Sequence, residues 1–300
     1  MASAIDRGRI AMVTGASRGI GRASALALAE AGFDIAFTAR TVREGECFEH
    51  SPTIHSSDTR PLPGSLETTA REIRDRGRRA LPLRMDLLDR SEVVAAAEGV
   101  LAEWNRIDVL VNNAVYTGPG NLDLFLDLPL DVVERIFQAN LLSQVLMTRQ
   151  VLPHMLERGS GVIINVVSAA GAHDPPVPAD AGGWGFAYGA SKAALERLAG
   201  VLEVELRGRG IRVHSLEPGF VITETMRATG LVDRLTAAMA QLDAVRPAVP
   251  AAVVAWLATD PEASEWNGKT VSAPSLCRKR KLLPPSEIAA TSSTETGSSL

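Results

Sequence analysis

The chain has 300 residues, of which 46% are hydrophobic and 22% charged, with a formal charge of −4 and a pI near 5.8. That balance suits a globular protein with a sizeable core and speaks against a nucleic-acid-binding face as its main function. No apolar run approaches the roughly 20 residues that span a bilayer. The opening MASAIDRGRI lacks the apolar centre of a signal peptide, and the two cysteines, Cys47 and Cys277, lie far apart without metal-ligand spacing. A reducing, cytoplasmic home with no membrane partner is therefore expected.

In chain order, short apolar runs alternate with longer helical patterns. Residues 10–14 read as a first strand, followed by glycines and an alanine-rich helix to about residue 31. Further strands are predicted at 34–39, 80–85, 109–112, 161–167 and 211–216, with 270–273 as a seventh. Helices are predicted near 66–76, 91–104, 131–156 and 188–207. The strands are apolar throughout rather than alternating, as in a parallel sheet covered on both faces. The pattern predicts an α/β, doubly wound, Rossmann-like three-layer fold with about seven parallel strands. One domain is expected over 1–277, with 278–300 as a polar, disordered tail.

Three stretches break this rhythm. Residues 41–64 form a polar insertion expected at the surface. Its place after the second strand also allows it to cover the adenosine end of a nucleotide, with surface decoration or an oligomer contact as alternatives. Residues 172–187 are rich in Pro and Gly and cannot be a helix interior. They are expected to form a lip over the active site, with Trp184 and Phe186 either lining a substrate pocket or packing the loop. The basic run 278–281 reads as solvated tail or, alternatively, as a targeting patch.

The chemistry starts at Thr14-Gly15-Ala16-Ser17-Arg18-Gly19-Ile20-Gly21, between the first strand and first helix. Gly15 permits the tight turn, Gly19 lets backbone approach a pyrophosphate, and Gly21 allows close helix–strand packing. Unpaired amides and the positive dipole end of the helix then face the phosphates. NAD-selective sites place an acid about 20 residues beyond the glycines. Here the second strand ends in Ala39-Arg40, and Arg18 lies inside the turn. Two guanidiniums in place of an acid predict a fork on a 2′-phosphate, so NADP(H) is favoured over NAD(H). Read alone, the same two arginines are solvated surface residues.

Over about 9–273 the chain resembles the short-chain dehydrogenase/reductase family. The Thr-Gly-x-x-x-Gly-Ile-Gly spacing at 14–21 is similar to that family's cofactor turn. Asp86-Leu87 resembles its adenine-pocket pair, and Asn112-Asn113-Ala114 its motif after the fourth strand, with Val115 where the family usually has glycine. Ser168 and Tyr188-Gly-Ala-Ser-Lys192 match its catalytic serine and Tyr-x-x-x-Lys signature. Pro218-Gly219, Val221 and Thr223 resemble the loop that meets the nicotinamide carboxamide. The resemblance implies a catalytic role for Asn140, which would hold a water near Lys192. It also implies a mobile helical flap at 223–242 and a homodimer or homotetramer built on the 131–156 and 188–207 helices.

A Tyr and a Lys four apart on a helix share one face. A free phenol has a pKa near ~10. A neighbouring ammonium and an oxidised nicotinamide are expected to lower it. Tyr188 then exchanges a proton with a carbonyl or alcohol oxygen, Lys192 holds the nicotinamide ribose, and Ser168 donates to the developing oxyanion. The five histidines have no metal-ligand spacing, so no metal site is expected. The sequence thus points to an NADP(H)-dependent oxidoreductase acting on a small-molecule carbonyl or secondary alcohol, bulky and fairly hydrophobic. An NAD-linked alcohol dehydrogenase and a non-catalytic nucleotide sensor remain as alternatives.

Overall fold

A computed structural model describes residues 8–232 and 243–289. Its central sheet contains β1 (Ile10–Thr14), β2 (Asp34–Ala39), β3 (Ala80–Arg84), β4 (Val109–Asn112), β5 (Gly161–Val166), β6 (Ile211–Glu217) and β9 (Thr270–Ser272). All seven strands run parallel in the order β3-β2-β1-β4-β5-β6-β9. β7 (Phe220–Val221) and β8 (Ala244–Val245) form a separate parallel pair beyond the end of β6. The fold is the doubly wound Rossmann-like arrangement read from the sequence. The chain order reverses between β1 and β4, so a crevice opens at the carboxyl ends of those strands.

Period-2 alternation along each buried strand divides the core in two. On β1, Ala11 and Val13 face one side, where α1 (Gly19–Glu30), α2 (Leu66–Asp75) and α8 (Ala248–Thr259) pack. Ile10 and Met12 face the other, against α3 (Arg90–Trp104), α5 (Ser143–Arg158) and α6 (Phe186–Glu205). α8 carries AVPAAVVAWLAT, apolar around most of its circumference, and is accordingly the most deeply buried of the outer helices. Among the described residues no helix is long and apolar enough to cross a membrane.

The structure departs from the sequence reading at two places. The single helix expected over 131–156 is α4 (Leu130–Phe137) and α5 joined by a π-helical turn, Gln138–Leu142. Periodicity over so long a window averages across such a turn, so it does not register in the pattern. The tail expected to be disordered from 278 is ordered through 289. α9 (Ala273–Arg280) continues to Arg280, whose guanidinium pairs with Glu262 and lies over the Trp256 ring. Leu282, Leu283 and Ile288 pack on the core, and α10 (Pro285–Ile288) leads to a bridge between Ala289 and Val245. Polar composition masked three apolar anchors. Residues 290–300 lie outside the described residues. Of the flap expected at 223–242, α7 (Glu224–Thr229) and the chain to 232 are described, and 233–242 lie outside.

If residues 282–283 are part of the core, replacing Leu282 and Leu283 together by Ala lowers unfolding free energy by roughly 1–3 kcal/mol. Equilibrium urea denaturation measures this; a disordered tail would leave the midpoint where it was.

Candidate active site

The first strand ends where Gly15 turns with φ +69°, and Gly19 follows with φ +57°, both in the left-handed region. A Cβ on Gly21 would overlap the Gly15 carbonyl oxygen and Asn113 Nδ2, so only glycine lets α1 sit this close. Asn113 locks the turn by donating to the carbonyl oxygens of Thr14 (2.8 Å) and Gly15 (3.1 Å). Thr14 Oγ1 in turn accepts from the amides of Asn113 and Ala114, both at 3.0 Å. α1 begins at Arg18 without a capping side-chain bond from that residue. The amides of its first turn therefore have no intrahelical acceptor. One of them, Gly19 N–H, donates to Glu224 Oε2 at 3.1 Å.

The 41–64 insertion folds back over this turn. Arg18 reaches into it rather than away from it. Its guanidinium donates to the carbonyl oxygens of Pro63 (2.8 Å), Gly64 (2.8 Å) and Leu62 (3.4 Å), and to Thr41 Oγ1 (3.1 Å). Burial lowers the Arg18 pKa from the ordinary arginine value. The two-arginine fork expected from the sequence is therefore not assembled here; the carbonyl-rich end of the insertion competes for one guanidinium. Arg40 stays at the cleft, donating to Thr117 Oγ1 at 2.8 Å with its guanidinium carbon 5.0 Å from the Phe48 ring centre. Glu46, Phe48, His50, Arg60 and Leu62 of the insertion line the same cleft as Arg40, Asp86 and Leu87. Sequence reasoning did not pick these five. The signal was positional only, an insertion directly after the second strand.

At the other end of the cleft stand Tyr188 and Lys192, one turn apart on α6. Ser168, just past β5, accepts from Ala170 N–H at 3.2 Å, and its hydroxyl lies near enough to the Tyr188 phenol to favour the phenolate. Lys192 is buried and donates from Nζ to the Val166 carbonyl oxygen at 2.8 Å. Burial lowers its pKa from 10.5 to about 8. The Tyr188 phenol moves up from the ordinary tyrosine value. Burial outweighs the opposing hydrogen bond from Ser168, and Glu217 adds a small rise.

Asn140 lies in the π turn and is fully buried. Its Oδ1 accepts from Tyr116 N–H at 2.8 Å, and its Nδ2 donates to Ser191 Oγ at 3.1 Å. Ser191 Oγ donates to the Tyr188 carbonyl oxygen at 2.8 Å. None of these bonds goes to Lys192; the side chain instead fastens the loop after β4 to the Tyr188 helix.

One cleft of about 330 Å³ collects Gly15, Ser17, Arg18, Gly19, Ile20, Gly21, Asn113, Ala114, Pro218 and Thr223 with the residues at its two ends. Asn140, Ser168, Gly219 and Val221 are not among the residues that line it. Gly219 turns the chain at φ +82° and donates to Glu217 Oε1 at 2.7 Å, while Val221 lies in β7. No residue of the expected 172–187 lip lines this cleft. A 3₁₀ turn at Ala179–Ala181 folds that segment back on itself. Trp184 and Phe186 face a second, open depression with His173 and Asp174. Phe186 meets Phe125 edge to face at 5.5 Å.

The model of the family described as short chain dehydrogenase matches residues 9–63 and 59–231. A short chain dehydrogenase of Pseudocercospora fijiensis is 34% identical over 220 residues, covering 73% of this chain and 61% of its own length. A 3-oxoacyl-[acyl-carrier-protein] reductase of Synechocystis is 31% identical over 265 residues, 87% of this chain and 94% of the relative. Among solved structures, a metagenomic short-chain oxidoreductase in complex with NADP aligns with a TM-score of 0.65 at 31% identity. A short chain dehydrogenase from Mycobacterium paratuberculosis bound to NAD aligns at 0.69 and 26%. Each alignment covers 88% of this chain and 95% of the solved chain.

The buried ammonium carries a pH signature. Between pH 8 and 10.5 the unfolded chain keeps the Lys192 proton that the folded protein has released. Stability therefore rises with pH across that window, by roughly 3 kcal/mol in total. Urea denaturation of wild type and Lys192→Met at several pH values isolates it: the difference between them should shift in favour of wild type as pH climbs.

Proposed function

Because the chain belongs to the short-chain dehydrogenase family, we propose that it is an NADP(H)-dependent oxidoreductase whose Tyr188 serves as the proton donor in reducing a carbonyl to a secondary alcohol. The observation that carries this reading is one cleft with a phosphate-type glycine turn at one end and Tyr188 with Lys192 at the other. Bound nicotinamide supplies the hydride. Everything else is the work of the chain.

The amides at the start of α1, which lack intrahelical acceptors, and the close backbone at Gly15 and Gly19 suit a pyrophosphate, with Ser17, Ile20 and Gly21 completing the turn. Asp86 and Leu87 suit an adenine ring, and Asn113 and Ala114 the adjoining ribose. Pro218, Gly219, Val221 and Thr223 suit the carboxamide end. Arg40, at the end of β2 where an acid would select NAD(H), suits the 2′-phosphate.

At the reacting end, Lys192 orients the nicotinamide ribose through its ammonium, which Val166 aims. Ser168 and Tyr188 converge on the carbonyl oxygen. Tyr188 gives its proton to the carbonyl oxygen in reduction and takes one back in the reverse reaction. Ser168 stabilises the alkoxide as it forms, and Asn140 positions the Tyr188 helix through Ser191. The reading extends to one domain and a homodimer or homotetramer. Exposed Leu142 on the π turn and Val201 and Val204 on α6 supply an apolar face for such packing.

A second reading is NAD(H) dependence. It is favoured by the diversion of the Arg18 guanidinium into the insertion, which takes one of the two expected arginines away from a 2′-phosphate.

Following nicotinamide absorbance with a panel of cyclic and linear ketones tests both. Tyr188→Phe should lower turnover by roughly 10²- to 10⁴-fold with cofactor affinity retained. Arg40→Ala should weaken NADP(H) binding roughly tenfold or more and leave NAD(H) binding unchanged. Turnover surviving in Tyr188→Phe sinks the mechanism, and equal losses for the two cofactors in Arg40→Ala sink the NADP(H) assignment.

A further inference from the structure

α7 begins one residue after Thr223, and its first side chain, Glu224, points back across the cleft to α1. The Glu224 carboxylate accepts from Gly19 N–H at 3.1 Å and lies 3.6 Å from an Arg22 guanidinium nitrogen. Thr223 is adjacent to the same spot: a Cβ built on Gly19 would lie 3.4 Å from Thr223 Cγ2. A carboxylate thus sits on the positive end of α1, on a backbone amide that belongs to the phosphate-binding turn. Arg22 is itself shared, donating from Nε to Glu72 at 2.9 Å, so Glu224 is its second and looser acid partner.

We propose that Glu224 is an internal competitor for the pyrophosphate seat, so that nicotinamide nucleotides bind by expelling its carboxylate from Gly19. This rests on the cofactor reading above; what it adds is the residue that sets affinity. An amide hydrogen has room for one strong acceptor, and a second anion at the same helix end meets like-charge repulsion. Arg22 already stands beside the carboxylate and receives it once it leaves Gly19. Binding free energy is thereby reduced by whatever the Glu224–Gly19 contact is worth. No bond is made or broken in the exchange.

The test measures binding, independently of turnover, with two probes. ADP-ribose carries the pyrophosphate, and adenosine does not. Neither depends on the choice between NADP(H) and NAD(H). In Glu224→Gln, which keeps the side chain's size and removes its charge, ADP-ribose should bind roughly three- to tenfold tighter. Adenosine affinity should stay constant. Glu224→Asp, one methylene shorter, should fall between wild type and Gln for ADP-ribose, and the gain should shrink as salt is raised. Unchanged or weaker ADP-ribose binding by Glu224→Gln overturns the proposal. An equal gain for adenosine also overturns it, because a structural or long-range effect would act on both probes alike. Failure of ADP-ribose to bind wild type and variant alike overturns the cofactor reading, and this proposal with it.

Discussion

A charged nitrogen taken out of water is the constraint around which the site is organised. The Lys192 ammonium is buried, and an unpaired buried charge costs several kcal/mol. Its recorded compensation is the Val166 carbonyl oxygen, at the last residue of β5. That bond fixes where α6 lies along the sheet, and with it the height of Tyr188 one turn earlier. Ser168 follows Val166 by two residues, so the same strand end that receives the ammonium also delivers the serine to the phenol. Asn140 secures the outer side of the arrangement through Ser191. The geometry is thus a set of short links from one strand end.

Much of this was legible beforehand because the relevant signals are local. A glycine needed for φ > 0 or for close packing, as at Gly15, Gly19 and Gly21, leaves its mark in the residue type itself. Strands buried on both faces leave a continuous apolar run, and a pair of residues one helical turn apart needs only a count of four. The fold, the order of its elements and the residues at the two ends of the cleft follow from such signals.

What stayed hidden depends on contacts between distant segments. The direction in which the Arg18 side chain leaves the turn is decided by three carbonyl groups at 62–64, which no local pattern links to it. The same holds for Trp184: the choice the sequence leaves open, pocket wall or loop packing, turns on a chain path that sets it in a second depression with His173 and Asp174. The depth of the Tyr188 phenol, which raises its pKa, is likewise set by segments remote from it in the chain. The ordered stretch to 289 was missed because composition averaged over twenty residues conceals Leu282, Leu283 and Ile288, and only the core surface shows why they matter.

The π turn at Gln138–Leu142 has a bearing on how this part of the chain tolerates change. An α-helix advances about 100° per residue. A wider turn in its middle resets the angular phase of everything that follows. Met147, Val151 and Met155 face the sheet because α5 starts from that reset phase. Excising a single residue to regularise the helix would swing this apolar stripe about a quarter-turn towards water. It would also withdraw the Asn140 amide from Ser191. Local ideality and global fit are opposed at this one point, and the chain keeps the irregular backbone.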